Sequence, residues 1–326
     1  MKRRALLALG GAAFAAPRLV IAQPASRVYR IAILDDTSEG TRGDAWTRLR
    51  DGLRELGLVE GRNLVIEVRY AGGVSERLNA LAAEIVATKP DLIVTPGTPT
   101  TRAVLRATSS IPIVFSGAAD PAGAGLVASL ARPGGNATGV SIMATETSQK
   151  NLELLHDLLP GAKRIGFLTD TANQAAAAAY SRLEEKARAL KLSIQMLDGI
   201  GRTALDRAFA TIRRERIEGL LVAFPATLLE HRDEIIQFAA REKLPVVYGR
   251  SEYVAAGGLM SYDVDRISGR SRAATLVHKI LHGAKPADLP VEQINKTRVT
   301  INMQTAKALG LKIPQSVLVR ADHVIE

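Results

Sequence analysis

The chain contains no cysteine, which excludes a disulfide framework, a thiol nucleophile and a lipid anchor carried on a cysteine sulfur. Aromatic residues are scarce, 4% of 326 residues, and no basic run is interleaved with them, so stacking-based binding of single-stranded nucleic acid is excluded. The histidines are five, His156, His231, His278, His282 and His323, and no two stand at metal-ligand spacing. There is no Gly-x-Ser-x-Gly elbow and no Gly-rich Lys loop for phosphate, so neither catalytic residues nor a cofactor or metal is expected. No apolar run approaches the ~20 residues that span a bilayer. Lys and Arg outnumber Asp and Glu by 43 to 33. The excess is scattered over helices and the first two dozen residues, which reads as a basic solvated surface with no nucleic-acid partner.

What is present begins with a leader. Residues 1–22 open with Lys2-Arg3-Arg4, continue through an apolar run at 5–16 and end in Val20-Ile21-Ala22, with small residues where a signal peptidase reads. Cleavage after Ala22 is expected, with Ala25 as the second choice, giving a protein released to the periplasm. The formal charge then drops from +10 to +6, because Lys2, Arg3, Arg4 and Arg18 leave and no acid does.

The informative stretch is 91–127. Leu92-Ile93-Val94 and Ile111-Pro112-Ile113-Val114-Phe115 are β-rich apolar runs, each followed at once by small hydroxyl, Gly and Pro residues. This is the pattern of buried parallel strands ending in binding loops. Between them 100–108 reads as a helix, with Pro99 where a first turn accepts a residue lacking an N–H. The periodicity places a strand at 28–34, a helix at 41–56, a strand at 64–70 and a helix at 75–88 ahead of this unit. A second α/β round follows, with helices at 147–159, 173–190, 205–214 and 227–242 and strands at 164–169, 193–197, 219–223 and 245–248. Gly219-Leu220-Leu221-Val222 repeats the pattern of Asp91-Leu92-Ile93-Val94, and Pro245-Val246-Val247 that of Pro112-Ile113-Val114. Two copies of one plan imply α/β architecture with two Rossmann-like lobes, parallel sheets and facing strand ends. Chain crossings are expected at 137–142, at 257–263 and at 298–302, making a three-segment hinge. The first lobe is then 28–140 with 261–297, and the second is 141–260 with 298–326.

Gly97-Thr98-Pro99, Ile111 through Phe115, Asp120-Pro121, Gly125-Leu126-Val127, Pro133-Gly134-Gly135-Asn136-Ala137-Thr138-Gly139, Leu244-Pro245-Val246, Gly257-Gly258-Leu259 and the tail from Ile301-Asn302 to Ile313-Pro314 stand in this order along the chain. In these residues it resembles the periplasmic substrate-binding proteins of ABC transporters whose members include tryptophan- and phenylalanine-binding proteins. The resemblance implies a type I periplasmic binding fold, a small-molecule ligand such as an amino acid or related carboxylate in the cleft, and delivery to an inner-membrane ABC permease. A monomer is expected.

For such a ligand, Thr98, Thr100, Ser116 and Gly117 stand at first-lobe strand ends where hydroxyls and helix N–H groups meet a carboxylate. Asp170 or Asp263 is the expected partner of an ammonium, each otherwise a helix cap or hinge hydrogen-bonder. Phe224 and Tyr248 end second-lobe strands and are placed to sandwich an apolar side chain, Phe224 otherwise being core. Asp36 closes over the ligand or forms a solvated turn. Pro99, Asp120, Asn173 and Tyr262 complete the candidate set. Two alternatives share parts of this reading: a periplasmic ligand sensor for a receptor kinase, and an exported α/β enzyme.

Overall fold

The computed structural model describes residues 27–42, 45–142, 144–172 and 174–326. The expected leader, 1–22, lies outside them. Among the described residues thirteen strands form two sheets: β1 (Tyr29–Asp35), β2 (Leu64–Tyr70), β3 (Leu92–Thr95), β4 (Ile113–Ala119), β5 (Ala137–Ile142), β6 (Arg164–Thr169), β7 (Ser193–Asp198), β8 (Gly219–Val222), β9 (Val246–Tyr248), β10 (Met260–Val264), β11 (Glu292–Ile294), β12 (Thr297–Asn302) and β13 (His323–Ile325). The six-stranded sheet runs β2-β1-β3-β4-β5-β11, parallel throughout. The seven-stranded sheet runs β7-β6-β8-β9-β10-β12-β13, with only the β10–β12 pair antiparallel. The first five strands of each round therefore take the same spatial order, as the repeated sequence pattern requires. Leu92, Ile93 and Val94 are fully buried, which is what a parallel strand covered by helices on both faces demands of its residues.

The helices are α1 (Ala45–Glu55), α2 (Arg77–Ala87), α3 (Thr98–Ala107), α4 (Ala144–Leu158), α5 (Gln174–Ala189), α6 (Arg202–Arg214), α7 (Arg232–Arg241), α8 (Ser251–Ala255), α9 (Arg266–Leu281), α10 (Met303–Ala308) and α11 (Gln315–Leu318). Trp46, Leu49 and Leu53 turn one face of α1 into the first-lobe core. Helix α9 returns to that lobe and crosses α1 closely: a Cβ on Gly52 would lie 2.9 Å from the Ala274 Cβ. Glycine at that contact lets two backbones approach, and any larger residue would push the helices apart.

The chain passes between lobes after β5, after β10 and between β11 and β12. Two of these crossings differ from the expected boundaries. Met260–Val264, expected to begin the return from residue 261, pairs with β9 and β12 inside the second sheet. Met260 and Ser261 are fully buried there, and the crossing waits until Asp265, whose side chain accepts from the Ser268 N–H and starts α9. Likewise Ala137–Ile142 stays wholly in the first sheet, so the first crossing falls beyond 142. The helix expected at 227–242 breaks into a 3-10 turn, Ala226–His231, and α7. Pro225 opens that turn, and Leu228 and Leu229 are both buried. The neighbouring Glu230 is thereby left facing the other lobe.

Candidate functional site

Because parallel strands end on one side, the two sheets present their carboxyl edges to a common gap. The gap is a cavity of about 450 Å³, within the usual size of small-molecule sites. From the first lobe it is lined by Asp36 after β1, Gly97, Thr98 and Pro99 after β3, and Gly117 and Asp120 at β4. The second lobe contributes Phe167 and Asp170 at β6, Phe224 and Thr227 after β8, and Arg250 after β9. Arg42, Arg102, Glu146 and Arg182 also line it, so the lining carries both signs of charge beside apolar side chains.

The lobes also touch directly. Glu230 Oε1 accepts from the Ser38 N–H at 2.6 Å and from the Thr41 hydroxyl at 3.0 Å. Gly73 holds φ +76°, and a Cβ there would meet Glu230 Cγ at 3.1 Å, so glycine clears the seat of this carboxylate. Phe224, half-buried on the second lobe, packs against the first-lobe core cluster. The cleft is closed.

A buried charge network stands behind the first-lobe wall. Arg42 Nε donates to Asp35 at 2.8 and 3.0 Å, and its Nη2 donates to Asp36. Asp35 also accepts from the Thr37 N–H (2.9 Å), the Thr37 hydroxyl (2.8 Å) and Trp46 Nε1 (2.7 Å). Burial alone would push the Asp35 carboxyl up, but the Arg42 guanidinium and these donors bring it below the ordinary carboxylate value. Burial pushes Asp36 above that value, against the pull of Arg42 and with the help of the Asp35 charge beside it. Trp46→Phe removes one donor from a fully buried carboxylate and leaves a smaller aromatic ring in the core. It is expected to cost about 1–3 kcal/mol, read as a lower midpoint in urea unfolding.

Of the residues expected from sequence, Asp36, Thr98, Pro99, Gly117, Asp120, Asp170 and Phe224 line the cavity. Thr98 does not offer its hydroxyl: that oxygen donates to the Ala119 carbonyl and accepts the Ala119 N–H, both at 3.1 Å, tying α3 to the end of β4. Asp120 accepts from the Gly123 N–H (3.0 Å) and Asp170 from the Ala172 N–H (3.1 Å).

Thr100, Ser116, Tyr248, Tyr262 and Asp263 do not line it. Thr100 turns its hydroxyl back to the Gly97 carbonyl (2.9 Å). Ser116 is buried where α9 approaches β4: a Cβ on Gly269 would meet the Ser116 carbonyl at 3.3 Å. Tyr248 is buried and stacked on Tyr253 at 4.6 Å between ring centroids, and burial pushes its phenol well up. Tyr262 packs against the second-lobe core. Asp263 accepts from the Ser251 N–H (3.2 Å) at the start of α8. Asn173 lies outside the described residues.

Sequence reasoning missed Arg42, Arg102, Phe167, Thr227 and Arg250. One of them was within reach: Gly249-Arg250 follows the Pro245-Val246-Val247-Tyr248 run as Ser116-Gly117 follows Pro112-Ile113-Val114-Phe115, so the rule that small residues after an apolar run mark the cleft points to Arg250 equally. Arg42 had no such signal, since the fold brings it back seven residues to Asp35.

Two lobes of like topology, joined by three crossings and closed over a polar-rimmed cavity at their strand ends, define a type I periplasmic binding fold. The chain belongs to the family described as ABC transporter substrate binding protein, whose model matches residues 30–325. A tyrosine-binding protein of Clostridioides difficile strain R20291 is 29% identical over 262 residues, 80% of this chain and 74% of that protein. Among solved structures, an ABC domain from Streptococcus pneumonia in complex with L-Trp is 26% identical, with a TM-score of 0.84 over 91% of this chain and all of that one. A conserved domain protein from Vibrio cholerae is 28% identical with a TM-score of 0.85 over the same shares.

Proposed function

We propose that the protein captures an amino acid, aromatic by preference, in the interlobe cavity and presents the closed form to an ABC permease, acting as a periplasmic monomer once its leader is removed. The observation that carries this reading is the lining itself. A zwitterion needs both signs of charge together with an apolar compartment, and the cavity lining includes Asp36, Asp120, Asp170 and Arg102 as well as Phe167 and Phe224. The N-terminus of α3 and the Gly117 backbone supply N–H groups suited to a carboxylate, and the aspartates suit an ammonium. Phe167 and Phe224 flank the side chain. The relatives named for tyrosine or solved with L-Trp support the same class. Closure follows from differential contact: ligand bound to one lobe gains the second wall only when the lobes meet.

The test is a thermal-shift series on refolded protein with L-tyrosine, L-tryptophan, L-phenylalanine, sugars and purines. An aromatic amino acid is expected to raise the melting temperature in proportion to the logarithm of its excess over Kd. A shift by sugars or purines alone, or by nothing in the series, would end the amino-acid reading.

A further inference from the structure

Two buried polar atoms on the second-lobe side of the cavity find no hydrogen-bond partner among the described residues: the Thr227 hydroxyl oxygen and Arg250 Nε. Both residues line the cavity, and they are only 7% and 1% exposed. Thr227 stands in the 3-10 turn that follows β8 and Arg250 two residues past β9, and these strands are neighbours, since Val222 of β8 pairs with Tyr248 of β9. The Phe224 ring lies against the same corner: a Cβ on Gly249 would meet its Cδ2 at 3.2 Å. Arg250 Nη2 is fixed on Glu252 Oε1 at 2.5 Å, which offsets its charge and leaves the Nε edge as a directional donor.

Buried donors in folded proteins are nearly always paired, so two unpaired ones on residues that line one ligand cavity call for an acceptor from the ligand. Neither atom contributes a bond that holds the fold, which sets them apart from the engaged hydroxyls of Thr98 and Thr100. An uncharged apolar ligand end would leave both unsatisfied. A ligand oxygen would satisfy both.

Resting on the amino-acid reading above, we infer that Thr227 and Arg250 form a second-lobe subsite that donates hydrogen bonds to an oxygen of the captured amino acid. That oxygen has two sources with the same chemistry, the α-carboxylate or the tip of an oxygen-bearing side chain such as a phenol. Because the first-lobe N–H groups stand across the gap, these bonds form only on closure. The subsite thus contributes to selecting which ligand closes the cleft.

The experiment is calorimetric titration of refolded wild type, Thr227→Val and Arg250→Gln with L-tyrosine, L-phenylalanine and L-tyrosine amide, alongside ligand-free melting temperatures. Each variant is expected to weaken tyrosine binding tenfold or more. It should also collapse one of two preferences, tyrosine over phenylalanine or acid over amide, and the one lost identifies the oxygen. Ligand-free Thr227→Val should melt at or above the wild-type temperature, because valine removes an unpartnered hydroxyl. Unchanged affinities and preferences in both variants overturn the subsite, and so does a drop of several degrees in ligand-free Thr227→Val. If the wild type binds no amino acid, the functional reading fails on its own, and the Thr227→Val melting temperature still decides for or against an unpaired hydroxyl.

Discussion

Replacing Arg42 with methionine is expected to destabilise the protein by about 3–5 kcal/mol at neutral pH, the usual result of stripping a buried ion network of its cation. Asp35 is fully buried and Asp36 nearly so, and Arg42 is the cation that both of them contact. Methionine keeps much of the volume, so the loss reports charge. The pH dependence gives a second readout. Asp35 titrates below its unfolded value of 3.8, so its stabilisation is present above that pH and is lost as pH falls through the lower folded value. Asp36 titrates above 3.8, so its contribution is greatest in acid and is lost as pH rises through the raised folded value. In the wild type the two oppose each other. In Arg42→Met both carboxyls prefer the protonated form, so the deficit should shrink as pH falls toward 4. Urea unfolding at pH 7 and pH 4 checks this, and a deficit below about 1 kcal/mol at pH 7 would show that the network does not hold the wall of the cleft.

Glu230→Ala is expected to weaken ligand binding without touching the ligand. Its carboxylate receives two bonds from the other lobe, and bonds to a charged group are worth about 1.5–3 kcal/mol. Removing them from the closed form alone raises Kd by at least the roughly 10- to 150-fold that one such bond is worth. Small-angle scattering should show a larger ligand-free radius of gyration for the variant. Thr41→Val should show a smaller effect in the same direction, since the Ser38 N–H still reaches the carboxylate. An affinity within twofold of wild type would place the balance between open and closed forms elsewhere.

The parts of this architecture legible in the sequence were those written locally. Leu92-Ile93-Val94 and its counterpart Gly219-Leu220-Leu221-Val222 are buried on both faces, so their composition alone reveals strand type, and the small residues after them mark where the cleft must be. The same rule placed Asp36, Gly117 and Phe224 on its rim. It failed where a side chain's direction depends on alternation or on a distant partner. Ser116 and Gly117 are neighbours at an irregularity in β4, yet Gly117 lines the gap and Ser116 is buried where α9 packs. Thr98 reached the gap, but Ala119, distant in sequence, engages its hydroxyl. Met260–Val264 looked like a crossing because glycines precede it, whereas its place between β9 and β12 is decided by long-range pairing. Glu230 sat in an apparent helix, and only the break at the 3-10 turn aims it across the cleft.

Phe224 seated against the opposite lobe has a consequence for the conditions under which the trap works. Apolar contact loses strength on cooling but is not screened by dissolved salt, and kosmotropic salts strengthen it, whereas exposed ion pairs are screened. A trap that shuts partly on a phenylalanine ring should therefore keep its hold in brine, and loosen in the cold.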